Sequence, residues 1–228
     1  MNIKYKLKKI YPGIYLCTIK DRYDLAMTFC RVQEFYESPY KEIRGKHFRL
    51  LDLMKTYVKK RKEESFLYPE HWCGFNIPGN IIKNLYYSDK HRLMDINEYD
   101  LTIMDINDTI SEKTNELYYL IACGGAEKST IYHEVCHGLY CLDKTYRDGV
   151  NHIINKIKPT AYKKISKVLL DLGYCKQTLK DEIQAYLTTG ADTIHSEAKF
   201  NKTELCSVTD VTILLKAFFK KYKKDIDF

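Results

Sequence analysis

The sequence predicts an α+β protein: a small mixed or antiparallel sheet in the first half, a mostly helical second half, and one buried helix between them. Three observations carry this expectation. Segments rich in β-branched and aromatic residues, 14–19 and 116–123, are confined to the first half. Apolar residues recur at helical spacing through most of the second half. Between the two, Gly124-Gly125 separates the 116–123 strand from a helix with an apolar stripe of Ile131, Val135, Gly138, Leu139 and Leu142. The chain is read as one domain over residues 1–228, with an N-terminal α/β part to about residue 145 and a helical part over about 146–228.

Taken in order, residues 14–19 form a first strand after the Pro12-Gly13 turn. Residues 25–36 and 47–58 read as helices, the second with Phe48, Leu51, Met54 and Tyr57 or Val58 at core spacing. Residues 68–79 combine aromatics with glycine and proline and read as an ordered loop, with Trp72 and Phe75 plugging the core. Residues 99–106 alternate loosely and are expected to pair as a strand with 116–123. Ser129 or Thr130 can cap the following helix. Residues 150–157 and 161–172 then form helices split by Pro159, with Gly173 stopping the second. Helices over 178–187 and 208–221 complete the chain.

Composition narrows the function classes. Hydrophobic residues at 45% and charged residues at 29% describe a globular chain with a sizeable core. No apolar run reaches the ~18 residues of a membrane-spanning helix. The basic start, Met1 to Lys9, lacks the apolar core and small-residue cleavage site of a secretory signal, so a cytoplasmic location is expected. Eight scattered cysteines without a Cys-x-x-Cys pair fit reduced, mostly buried thiols. The net charge is +7, with basic clusters at Lys59-Lys60-Arg61-Lys62 and Lys220-Lys221-Tyr222-Lys223-Lys224. Runs this short suit solvated helix ends, and no nucleic-acid partner is expected.

The predicted buried helix carries His133-Glu134-Val135-Cys136-His137, a His-Glu-x-x-His motif. Residues four apart share one face of a helix, so both imidazoles can face one metal ion. A zinc ion held by nitrogen ligands with an open position lowers the pKa of bound water to about 7. Glu134 stands where it can take that water's proton.

A third ligand must come from elsewhere in the chain. Asp143 lies six residues after His137, where one group of zinc peptidases carries its third ligand. That arrangement needs a helix break at position 140, which is tyrosine here, and a methionine turn, whereas no methionine follows Met104. Glu182 is better placed. It lies beside the Leu179, Ile183, Tyr186, Leu187 stripe of a helix in which Ala185 leaves room for close approach. With Thr178 as the N-cap, Asp181 falls at the third helical position, where it suits capping.

His133-Glu134-x-x-His137 followed by a helix bearing Glu182-x-x-Ala185 resembles the gluzincin branch of the zincin metallopeptidases, over roughly residues 116–190. The resemblance implies a zincin-like fold and one Zn²⁺ per chain, held by His133, His137 and Glu182. It also implies Glu134 as general base and proton shuttle. Protein or peptide would be the substrate, bound in extended form by addition to an edge strand, expected at 116–123. Some members place an aspartate four residues after the glutamate to orient a ligating histidine. Tyr186 stands there instead, which leaves Asp143, Asp171 and Asp181 as candidates for that task. Tyr186 or Tyr174 can stabilise a developing oxyanion, with His152 and His195 as alternatives.

The expected function is therefore a zinc-dependent metallopeptidase, an endopeptidase. The alternative is a catalytically inactive zincin-fold binding or scaffold protein with a structural metal, its fourth position closed by Cys136, Cys141 or Cys175. Hydrolysis of a non-peptide amide and a basic nucleic-acid-binding module are the remaining readings.

Overall fold

The computed structural model describes residues 3–125 and 128–227. It is mixed α+β, 61% helical, with one four-stranded mixed sheet. The chain divides into two compact units, Met1–Ala126 and Glu127–Phe228. The motif helix lies in the second of these units.

In the first unit, β1 (Lys6–Tyr11) and β2 (Ile14–Thr18) form an antiparallel hairpin, turned at Gly13 with φ of 76°. Next come α1 (Arg22–Glu37), α2 (Leu50–Arg61), the short α3 (Tyr68–His71) and β3 (Gly74–Pro78). The unit continues with α4 (Gly79–Tyr86), a 3-10 turn at Asp89–Leu93, α5 (Glu98–Ser111) and β4 (Tyr119–Cys123). The sheet order is β1-β2-β4-β3, with β4 parallel to β2 and antiparallel to β3. The core lies between this sheet and α1, whose Leu25, Ala26, Phe29 and Cys30 are buried. Phe29 stacks on Phe75 of β3 at 5.4 Å between ring centroids.

Three expectations are corrected in this unit. Residues 99–106 are helical, not a strand. Asn97 accepts from Tyr99 N and Asp100 N while Asp100 accepts from Asn97 N, a reciprocal cap that starts α5. Ile103, Ile106 and Ile110 then bury one helical face. The 68–79 segment is a short helix with Pro69 in its first turn, followed by β3, instead of an irregular loop. Finally, the 116–123 segment is not an edge: β4 is paired on both sides, so its backbone has no row of groups left for an added peptide strand.

The second unit is helical throughout its regular structure: α6 (Lys128–Leu142), α7 (Lys144–Ile154), α8 (Pro159–Asp171), α9 (Leu179–Thr189), α10 (Asp192–Glu197) and α11 (Lys202–Lys223). Helix α6 packs closely against α9, and α11 lies against α7, α8 and α9. Ala185, fully buried on α9, supplies the small residue such an approach needs. Gly149 does the same for α7, since a Cβ there would run into the ring of Phe218. Ser129 and Thr130 lie inside the first turn of α6 and do not precede it. Asn201 and Glu204 form a reciprocal cap on α11. No helix among the described residues is long and apolar enough to cross a membrane.

Candidate metal centre

Helices α6 and α9 bring His133, His137 and Glu182 together. One ligand atom from each lies within 4.8 Å of the other two. His137 Nε2 stands 3.7 Å from a Glu182 carboxylate oxygen. Donor atoms about 2.0–2.2 Å from a tetrahedral zinc stand roughly 3.3–3.6 Å apart, so small side-chain movements would close this set around an ion. His137 and Glu182 are buried at 2% and 3% exposure, while His133 is only partly covered. Glu134, beside His133 on α6, is also buried.

The remaining ring nitrogens are already engaged. His137 Nδ1 lies 2.9 Å from Asp181 Oδ1, and a carboxylate can only accept, so Nδ1 carries a proton and Nε2 is the nitrogen left to offer a lone pair once the ring is neutral. His133 Nδ1 lies 3.1 Å from the Thr189 hydroxyl oxygen. That hydroxyl donates its one proton to the Ala185 carbonyl at 2.7 Å, and must therefore accept from His133 Nδ1–H. His133 consequently holds the tautomer that presents Nε2 to a cation, and His137 presents Nε2 in the same way when it gives up its second proton.

The charges around the site follow from burial. Desolvation holds His133 neutral, with its pKa lowered to about 3, helped by the neighbouring His137. Burial would also lower His137, but Asp181, then Glu182, with Glu134 adding to them, outweigh it and hold the imidazole well above its ordinary value. Before any cation binds, the proton on His137 is the positive charge facing these carboxylates. A metal ion would take over that role and release the proton.

Tyr186, one turn beyond Glu182, sets its ring edge-on to His133 at 4.9 Å. Its hydroxyl is 3.0 Å from that of Tyr174. Burial raises both phenols, and Glu182 adds to the shift in each, so both remain protonated donors.

The sequence-predicted residues His133, Glu134, His137, Glu182 and Tyr186 thus come from the two helices that pack together. Asp143 does not join them: it caps α7, accepting from Tyr146 N at 3.0 Å. His152, His195, Cys136, Cys141 and Cys175 are also outside the group of metal-competent ligands among the described residues. Asp181 does not cap α9 as expected but binds His137, and Thr178, at the cap position, makes no side-chain capping bond. Thr189 was not foreseen from the sequence. Its signal was its place seven residues after Glu182, on the same helical face.

No protein-family model matches the chain, and neither a curated protein nor a solved structure matches it.

Proposed function

We propose that the chain is a zinc-dependent metallopeptidase, with His133, His137 and Glu182 as ligands and Glu134 as general base. The observation that carries this reading is the convergence of three ligand atoms within 4.8 Å, with both histidine Nδ1 atoms already tied back by Asp181 and Thr189. Zinc bound there would supply a Lewis acid that polarises a carbonyl and lowers the pKa of water to about 7.

The chain's own residues perform the rest. Glu134, two carboxylate oxygens on a buried helix face, takes a proton from the attacking water and returns it to the leaving amine. Tyr186 donates its hydroxyl proton toward the carbonyl oxygen as charge develops there, with Tyr174 holding the phenol in place at 3.0 Å. Asp181 and Thr189 prevent the two imidazoles from turning.

The scaffold alternative with a structural metal needs a fourth protein ligand, as closed zinc sites have. Among the described residues the group contains three, none of them cysteine, which favours an open position and hence catalysis.

Glu134→Gln is the decisive variant. It should keep about one zinc per chain and lose hydrolysis of a mixed-sequence quenched peptide library by about 10²- to 10⁴-fold, the usual contribution of a general base. Retained turnover in a clean preparation would remove Glu134 from the mechanism. A zinc-loaded wild type inert toward every peptide would favour the scaffold reading.

A further inference from the structure

Behind Asp181 lies a buried polar chain that the peptidase reading does not use. Gln184 Nε2 donates to Asp181 Oδ1 at 2.9 Å, and Gln184 Oε1 accepts from the Tyr146 hydroxyl at 2.9 Å. Both Gln184 and Tyr146 are fully buried. The direction of every bond is set by chemistry. Asp181 can only accept, so the Gln184 amide nitrogen faces it; the amide oxygen then faces Tyr146, whose hydroxyl must donate. Asp181 Oδ1 therefore takes two donors, Gln184 Nε2 and His137 Nδ1.

Asp181 has a competing use. It lies in the first turn of α9, where carboxylates bond backbone N–H groups and complement the helix dipole, and Thr178 makes no side-chain capping bond there. Something must hold its carboxylate on His137 and away from the helix end. Gln184, one turn further along the same helix, is the group that does so. Its own amide is fixed by Tyr146, whose ring packs against those of Phe218 and Tyr222 at 5.6 and 5.0 Å. Leaving buried amide and hydroxyl groups in the core of a helical unit is costly unless they are bonded in this way.

We propose that Gln184 and Tyr146 are positioning residues for the metal centre: they set the Asp181 rotamer that orients His137, and so tie metal affinity to α7. This rests on the metal-site reading above. The relay makes Gln184 and Tyr146 energetically coupled in zinc binding, which independent core-filling residues would not be.

The test is zinc affinity of the full chain, by competition with a chromophoric chelator, for wild type, Gln184→Met, Tyr146→Phe and the double variant, with thermal melting of the zinc-free proteins alongside. Gln184→Met should weaken zinc about tenfold, the lower end for groups that orient a ligand. Tyr146→Phe should weaken it by a smaller factor when Gln184 is present and by none when Gln184 is already Met. A merely structural role would lower the zinc-free melting temperature and leave the zinc dissociation constant unmoved, and that result overturns the proposal. Tyr146→Phe keeps the ring packed against Phe218 and Tyr222, so it carries the test if Gln184→Met does not fold: unchanged affinity in it also overturns the relay. A wild type that takes up no zinc would instead remove the metal-site reading itself, a different outcome from zinc bound equally by all four proteins.

Discussion

Each unit buries a cluster of charged side chains, and the two clusters are built on opposite plans. In the sheet unit the buried charge is Arg31, a permanent cation at 1% exposure. Its guanidinium meets Asp100 through Nε at 2.9 Å and Nη2 at 3.1 Å, Asp95 through Nη1 at 3.0 Å, and the carbonyls of Phe48 and Asp95. Tyr86 adds a hydrogen bond to Asp100 at 2.8 Å. In the helical unit the groups that raise His137 are all carboxylates, and the cation facing them is a proton that can leave. A fixed guanidinium closes a cluster; a titratable imidazole leaves it able to exchange its positive charge for a metal. That difference separates a structural ion network from a candidate site more clearly than burial does, because both clusters are buried.

The comparison can be broken most directly by removing one charge from each cluster. Arg31→Met leaves Asp100 buried without its cation and should cost about 3–5 kcal/mol, a loss of the same size with and without zinc. Glu182→Gln should do the reverse. Its main effect should be to erase the stabilisation zinc confers, about 4 kcal/mol for wild type when free zinc is a thousandfold above the dissociation constant. Thermal melts of both variants, each with and without zinc, check this. A zinc-dependent shift that survives in Glu182→Gln would mean that the third ligand lies elsewhere.

The exchange of a proton for a metal also fixes a pH dependence. His137 is raised by Asp181, Glu182 and Glu134 against the opposing effect of burial, so the metal-free folded site still holds its proton at pH values where an ordinary histidine has lost it. Zinc must displace that proton. Its apparent affinity should therefore fall about tenfold for each pH unit below the His137 pKa. His133, lowered to about 3, adds no second proton above pH 4 or so. Calorimetric titration in two buffers of different ionisation enthalpy counts the protons: one released per zinc is expected, and none would place His137 neutral before binding.

The same contrast marks what could be read from the chain. The motif was legible because metal chemistry demands particular residue types at helical spacing, and Glu182 because a carboxylate beside a buried stripe needs a partner. The use of Asp181 was legible only as one of three candidates, beside Asp143 and Asp171: an aspartate in a first turn also has a sufficient local explanation, and the tertiary approach of His137 decides between cap and ligand support. In the sheet unit, α5 was legible in principle, since Asn97 and Asp100 form the cap and Ile103, Ile106 and Ile110 repeat at helical period. The loose alternation of residues 99–106 outweighed that signal wrongly. The interior place of β4 was not legible, because the parallel pairing with β2 joins segments a hundred residues apart. Strand order is a non-local property, and local pattern carries no information about it.

Thr189 gives the smallest and sharpest test of how the helical cluster is held. Its hydroxyl bonds backward to Ala185 O, which by itself adds nothing to helix stability, and accepts from His133 Nδ1–H. Thr189→Val keeps the shape and removes the acceptor. The His133 ring would then keep its edge-on contacts with Tyr186 at 4.9 Å and His137 at 5.0 Å but lose its hydrogen-bond acceptor, and zinc affinity should fall severalfold to about tenfold. Thr189→Ser restores the oxygen without the methyl group and should recover most of the affinity. If Val and Ser behave alike and both match wild type, packing against Tyr186 orients His133 and the hydroxyl is incidental. If Val alone is weak, the helix that supplies the Glu182 ligand also orients both histidines, through Asp181 at one end of the site and Thr189 at the other.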